Sequence, residues 1–256
     1  MIQSLFSLTN RVAIITGGSR GLGAQMATAY AEAGANIAIC SRDGNACEEM
    51  AQRLTQQYGI QAYGAQCDVT DEEQITQFVT EVMRQFGKID ILINNSGASW
   101  ATPAEDMPLS AWQKVMDVNV TGTFLMSKAV GQHMIQAKQG KIINIASIAG
   151  FGGTPAFMQT VGYNTSKGAI ITLTKDLAVK WGQYNICVNA LAPGFFPTKM
   201  SQVLIKHGQE YIMQATPLGK LGSDEDLKGA AIFLASSAAD YITGVILPVD
   251  GGASAL

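Results

Sequence analysis

Short apolar runs alternate with helix-patterned segments from one end of the chain to the other, and this alternation limits its possible folds more than any other feature. Arg11–Thr16 (RVAIIT) is an apolar run that ends in glycines, and Gly21–Ala33 carries apolar residues at helical spacing, closed by Gly34. Asn36–Cys40 reads as a second strand and Asn45–Tyr58 as a helix that stops at Gly59. Gln61–Cys67 is a third strand, and Asp71 and Glu72 open a helix that runs to Phe86 before Gly87. Ile89–Asn94 is apolar on both faces, as a strand covered on both sides must be. Next come a helix near Ser110–Ala137, a strand at Lys141–Ala146, a helix at Tyr163–Trp181 and a strand at Ile186–Leu191. Asp224–Ser236 and Val245–Val249 complete the series as helix and strand. Such an order predicts an α/β fold with a doubly wound, parallel, seven-stranded sheet, helices on both faces and right-handed crossovers. No linker, repeat or low-complexity tract divides the 256 residues, so a single domain over 1–256 is expected.

With 47% hydrophobic and 14% charged residues, the chain can bury a large core and is not of disordered type. Lys plus Arg number 17 against 20 Asp plus Glu, a net charge of −3 that argues against a nucleic-acid partner. No apolar run nears the roughly 20 residues of a membrane span, and the start lacks a basic, cleavable leader. Cys40, Cys47, Cys67 and Cys187 have no ligand-like spacing and are expected to be reduced, buried thiols of a cytoplasmic protein. His133 and His207 are far apart, and no metal site is expected.

The turn between the first strand and the first helix reads Thr16-Gly17-Gly18-Ser19-Arg20-Gly21-Leu22-Gly23. Glycines here permit a tight turn and let backbone amides approach a pyrophosphate at the positive end of the helix dipole. The spacing differs from G-x-G-x-x-G, but its place in the first β/α unit favours a dinucleotide. The second strand ends at Cys40-Ser41 with Arg42 just beyond, and Arg20 lies inside the turn. An acidic residue at that strand end would hold ribose hydroxyls, whereas guanidiniums suit a 2′-phosphate. NADP(H) is therefore expected over NAD(H), with Asp43 the one carboxylate that a shifted strand end would bring into play.

Tyr163 and Lys167 stand four residues apart, on one face of their helix. An ammonium beside a phenol favours the phenolate, making Tyr163 a usable proton donor and acceptor. With the glycine turn, this pair resembles the short-chain dehydrogenase/reductase family, and the likeness covers nearly the whole chain. Asn94-Asn95-Ser96-Gly97 is similar to the family's N-N-A-G motif, with serine in place of alanine. Asn119 falls where the family has its helix asparagine, and Ser147 follows the fifth strand as its catalytic serine does. Pro193-Gly194 with Thr198 resembles the P-G-x-x-x-T segment that meets the nicotinamide.

The resemblance implies a single-domain Rossmann fold in which Tyr163 protonates a ketone as hydride arrives. It implies that Ser147 holds the same oxygen, that Lys167 lowers the tyrosine pKa and holds the ribose, and that Asn119 orders a proton-relaying water chain. Gly17, Ser19, Arg20, Gly21, Leu22 and Gly23 would cradle the cofactor, with Ser41 and Arg42 at its phosphate end. Asp68 and Val69 would sit by the adenine, and Asn95 and Gly97 by the ribose, although Asp68 reads equally well as a helix cap. A non-catalytic NADP-sensing protein of the same fold would be free to lose Ser147, Tyr163 and Lys167, and all are present.

The interval from Ser147 to Tyr163 is a few residues longer than is usual in the family and brings Phe157 and Met158 near the site; Thr154 offers a second hydroxyl there. By the same resemblance residues 194–216 form a lid over the substrate. Ser99, Trp100, Phe157, Phe195 and Phe196 are the candidate substrate contacts. Two branches look closest, the 3-oxoacyl reductases, including those of rhamnolipid synthesis, and the gluconate-5-dehydrogenase-like reductases. Apolar lid residues suit a lipophilic or 3-oxoacyl ketone. A sugar acid would want cations, of which only Lys199 is well placed. The family's habit of pairing its long helices implies a homo-oligomer, expected to be a tetramer. Val115, Val118, Leu125, Met126, Val130 and Met134, with Ile170, Ile171, Leu173, Leu177 and Val179, spread widely enough to want a second partner.

Overall fold

The computed structural model describes residues 2–255. Strands β1 (Val12–Thr16), β2 (Asn36–Ser41), β3 (Ala62–Gln66), β4 (Ile91–Asn94), β5 (Gly140–Ile145), β6 (Ile186–Pro193) and β7 (Ile246–Val249) are parallel and lie in the order β3-β2-β1-β4-β5-β6-β7. Along β1 the alternate residues serve opposite layers. Ala13 and Ile15 pack with Met26 and Tyr30 of α2 (Gly21–Glu32), Met50 and Leu54 of α3 (Gly44–Tyr58) and Leu234 of α9 (Lys228–Ala235). Val12 and Ile14 face Phe78 and Val82 of α4 (Glu72–Phe86), Val130 of α6 (Gly122–Ala137) and Leu177 of α7 (Val161–Trp181). The remaining helices are α1 (Ile2–Phe6), α5 (Leu109–Met116) and α8 (Gln202–Gln214). The expected doubly wound sheet is therefore what the chain forms, and β1 and β4 flank its switch point, where a crevice opens at the strands' carboxyl ends.

Local chemistry sets the element ends. Asp43 caps α3 by accepting from Ala46 N at 3.1 Å, and Asp71 caps α4 by accepting from Glu73 N and Gln74 N at 3.0 and 3.1 Å. Asp68, the other candidate cap, instead closes a turn by accepting from the Thr70 amide and hydroxyl at 3.0 and 2.8 Å.

In several places the fold departs from the sequence expectation. The helix expected over Ser110–Ala137 is interrupted by a π-helical turn, Asp117–Thr121, that contains Asn119. The last helix begins at Lys228 rather than Asp224, because the Asp226 carboxylate accepts from Ser223 N and Oγ at 2.8 and 2.7 Å and holds that stretch as a turn. Tertiary packing also covers most of the apolar residues that seemed to need a second subunit. Val115, Met126, Val130, Met134, Ile170 and Leu177 are buried within the chain, while Val118, Leu125, Ile171 and Leu173 are half-buried. Of that set Val179 alone is exposed; Leu109, Phe124 and Val161 join it at the surface. Between α6 and α7 the ring of Trp181 fills the space beside Gly131, where a Cβ would lie 2.7 Å from it.

Candidate active site

The turn after β1 is built around close approach. Gly17 and Gly21 have φ of +62° and +55°, and a Cβ on Gly23 would stand 2.2 Å from the Gly17 carbonyl oxygen. Asn95 buttresses the turn from behind: its Nδ2 donates to the carbonyls of Thr16 and Gly17 at 3.0 and 3.1 Å. Thr16 Oγ1 accepts from the amides of Asn95 and Ser96, both at 3.0 Å, and so ties β1 to the end of β4. Leu22 turns inward onto the core. Arg20 occupies the N-cap position of α2 without capping it through its side chain, so the first amides of that helix face the crevice. A glycine cradle with unclaimed helix amides fits a dinucleotide pyrophosphate.

At the far end of the crevice β2 runs one residue beyond the expected end, to Ser41. The Asp43 carboxylate is spent on the α3 cap, leaving Arg42, next to Ser41, and Arg20, in the glycine turn, as exposed charges. Ser41 Oγ lies 3.1 Å from Cys47 Sγ, and the hydroxyls of Ser19 and Ser41 both reach that thiol, which burial pushes up in pKa. Val69 is buried against Gly122, next to half-buried Asp68.

The chemistry-bearing residues converge where α7 passes the end of β5. Gly150 brings the turn after β5 against the backbone of α7; a Cβ there would meet Lys167 C at 2.7 Å. This contact sets Ser147 beside Tyr163, close enough for its hydroxyl to act on the phenol. Ser147 Oγ also accepts from Ala149 N at 3.2 Å. Burial pushes the Tyr163 phenol above its ordinary pKa, and the neighbouring Ser147 hydroxyl opposes this. Lys167 Nζ donates to the Ile145 carbonyl at 2.6 Å and lies 5.5 Å from the Tyr163 ring centroid; burial lowers its pKa to about 8. The expectation that the lysine depresses the tyrosine is therefore not what dominates in the folded chain, because desolvation acts on both groups. Asn119, 1% exposed, accepts at Oδ1 from Ala98 N at 2.7 Å. Its Nδ2 donates to Ala98 O at 3.0 Å and to Ser166 Oγ at 2.8 Å, and Ser166 Oγ donates to Tyr163 O at 2.7 Å.

Comparison with known proteins agrees with this geometry. Residues 17–254 match the family model described as enoyl-(acyl carrier protein) reductase. The chain is 36% identical over 245 residues to the 3-oxoacyl-(acyl-carrier-protein) reductase FabG of Aquifex aeolicus, covering 96% of this chain and 98% of that one. A short-chain type dehydrogenase/reductase from Mycobacterium marinum superposes with a TM-score of 0.94 at 35% identity, covering 99% of each chain. The chain belongs to the short-chain dehydrogenase/reductase family. Within it, a gluconate 5-dehydrogenase from Burkholderia cenocepacia, solved in complex with NADP and tartrate, is similar at a TM-score of 0.96 and 37% identity over 100% of both chains. As a member of this family the protein is an oxidoreductase of the NAD(P)-dependent kind.

Around a short-chain dehydrogenase/reductase centre of this kind, some candidate residues lie elsewhere than the sequence suggested. Phe196 is 4% exposed, with its ring packed on Gly222, where a Cβ would lie 2.5 Å away. It lines with Phe195, Leu218 and Val249 a cavity of about 520 Å³ to which Ser147, Tyr163 and Lys167 do not contribute. The cause is β6, which continues through Pro193 and pairs with β7, drawing the following residues toward the C-terminal turn. Gly194 N donates to Val249 O at 3.0 Å, which fixes the Pro193-Gly194 corner. Thr198 closes over the glycine turn, its Cγ2 3.8 Å from the Cβ position of Gly21. Met200 reaches to 3.9 Å from the Cβ position of Gly97, so residues 198–200 bridge the crevice. Ser99 is half-buried and Trp100 exposed on the rim, while Phe157 leans on α8. Thr154 Oγ1 accepts from Asn164 Nδ2 at 2.9 Å and acts as a loop anchor. Ser166 and Gly150 carry no motif in the sequence; for Ser166, the signal is a small polar residue one position before Lys167.

Proposed function

We propose that the protein reduces a ketone to a secondary alcohol with NADP(H) as cofactor, and that the ketone carries an apolar, 3-oxoacyl-like substituent. The pairing of Ser147 with Tyr163 beside Lys167, in a chain that also folds a glycine cradle, carries this reading. Gly17, Ser19, Gly21 and Gly23 would hold the pyrophosphate, and Arg20 and Arg42 the 2′-phosphate, with Asp43 withdrawn to the helix cap. Pro193, Gly194 and Thr198 border the nicotinamide end. When bound, NADPH supplies the hydride. Tyr163 stays protonated at neutral pH, because burial raises it, and its hydroxyl donates the proton to the substrate oxygen. Ser147 donates a hydrogen bond to the same oxygen and steadies its growing negative charge. Lys167 offsets the charge left on the phenolate, and Asn119 holds Ala98 and Ser166 in register with the tyrosine.

The residues 194–216 act as the lid. Met200, Val203 and Tyr211 of this segment, and Trp100 after β4, are exposed apolar side chains, and such surface supports the lipophilic substrate. Exposed Lys199 and the likeness to a gluconate 5-dehydrogenase support a second reading, a sugar acid. Following NADPH oxidation with β-ketoacyl thioesters beside 5-ketogluconate separates the two. Turnover of the thioesters is expected. Turnover of 5-ketogluconate alone selects the second reading, and oxidation with neither rejects both. The enzyme is further proposed to work as a homo-oligomer, with small-molecule substrate and its own copies as partners.

A further inference from the structure

The stretch between Ser147 and Tyr163 that is long for the family is anchored at both ends. Asn164, next to Tyr163, donates to Thr154 Oγ1 at 2.9 Å and accepts from Thr160 Oγ1 at 3.0 Å. Thr102 N donates to Gln159 O at 2.8 Å, joining the stretch to the rim that carries Trp100. On its other side the stretch reaches α8. Gly208 breaks that helix with φ −120° and ψ 17°, and the ring of Phe157 fills the notch: a Cβ on Gly208 would stand 2.7 Å from Phe157 Cε2 and 3.2 Å from Cζ. Phe157 also meets Tyr211 edge-on, with centroids 5.3 Å apart at 79°. A backbone without a side chain, a ring seated on it and a second ring one turn on form a complementary contact between α7's loop and the lid.

We propose that Phe157 is the clasp that fixes the closed position of α8 and so sets how bulky a ketone the site admits. The inference rests on the ketone-reductase reading for its second half only; the clasp itself is a property of the fold. Through Asn164, the loop that holds the lid is itself anchored at the start of α7, which keeps Phe157 in place. Phe157 thus acts as a positioning residue through α8 rather than as a substrate contact.

Hydrogen exchange of the full chain without ligand tests the clasp. Phe157→Ala and Tyr211→Ala should each speed exchange over residues 202–214 about five- to tenfold and leave residues 161–181 as in the unmodified protein. Because both remove one shared contact, the double variant should be no faster than the faster single. Unchanged exchange in Phe157→Ala, or a double variant equal to the product of the singles, overturns the proposal. Initial rates with NADPH and two methyl ketones, 2-butanone and 2-octanone, test specificity. In Phe157→Ala the kcat/KM ratio of the larger to the smaller ketone should rise about threefold or more, through KM rather than kcat, and Phe157→Leu should restore it. A ratio that does not move overturns the specificity role. If the unmodified protein oxidises NADPH with neither ketone, it is the activity reading that is weakened, and the exchange data still decide the clasp.

Discussion

Burial governs the acid–base character of Tyr163 and Lys167. The phenol is pushed up and the ammonium down to about 8, so near neutrality both are protonated, the state that reduction requires. Reductive kcat/KM should therefore be level below pH 8 and fall above it as Lys167 loses its proton. A pH–rate profile flat to pH 10 would contradict this assignment. Linkage gives a second, independent consequence. The folded-state pKa of Lys167 lies below its ordinary 10.5, so the cost of burying its charge is full below pH 8 and fades as pH rises toward 10.5. Replacing it removes that cost. Lys167→Met should thus be more stable, relative to the unmodified protein, at pH 7 than at pH 10 by roughly 2–3 kcal/mol. Urea unfolding at both pH values measures the difference, and the lost Ile145 bond cancels because it is common to both. Tyr163→Phe, which removes the proposed acid, should lower turnover about 10²-fold or more with NADPH affinity nearly kept. Fluorescence titration and initial rates check both halves, and substantial residual turnover would remove Tyr163 from the role of acid.

At the scale of elements, the proposed preference for NADP(H) rests on the end of β2 and the start of α3. Capping draws Asp43 into the helix and leaves Ser41, Arg42 and Arg20 around the crevice. NADPH should bind at least about tenfold more tightly than NADH, a difference of ~1.4 kcal/mol, and Arg42→Asp should narrow or reverse it. Equal affinities in the unmodified protein, by titration of both nucleotides, would sink the preference. The junction of β1 with α2 is equally demanding. Gly23→Ala drives a methyl toward the Gly17 carbonyl at 2.2 Å, so it should cost about 1–3 kcal/mol of stability and weaken NADPH binding together. Thermal unfolding with nucleotide titration reads both; an unchanged variant would show that the turn has room to relax. The π turn at Asp117–Thr121 shows why Asn119 could be placed in a helix from its pattern but not given its partners. A single extra residue in the turn rotates its side chain toward Ala98 and Ser166, contacts that lie in other segments.

At the scale of the whole molecule, the long helices bury most of their apolar residues inside one chain, and the case for an oligomer rests on what remains outside. Leu109, Phe124, Val179 and Tyr241, at 73%, 46%, 84% and 104% exposure, are the large side chains left outside. Exposed apolar side chains of this kind suit contacts between copies under closed symmetry, and the proposed assembly is a tetramer. Light scattering coupled to gel filtration should give a mass near four chains, with Phe124→Asp reducing it. A mass of one chain at micromolar concentration would rule out the assembly.

The alternating pattern determined the parallel sheet, its helical layers and the positions of the glycine turn, Ser147, Tyr163 and Lys167, because strand and helix periodicities and turn glycines are local signals. Even the four-residue step from Tyr163 to Lys167 is fixed by helix geometry alone. Tertiary structure decided what depends on neighbours distant in sequence. It placed Asn95 behind the glycine turn, buried Phe196 against Gly222, gave Thr16 and Ser166 their hydrogen-bond partners and set Phe157 on the lid. It also raised the phenol and lowered the ammonium, since desolvation depends on everything packed around a group and has no signature in the order of residues.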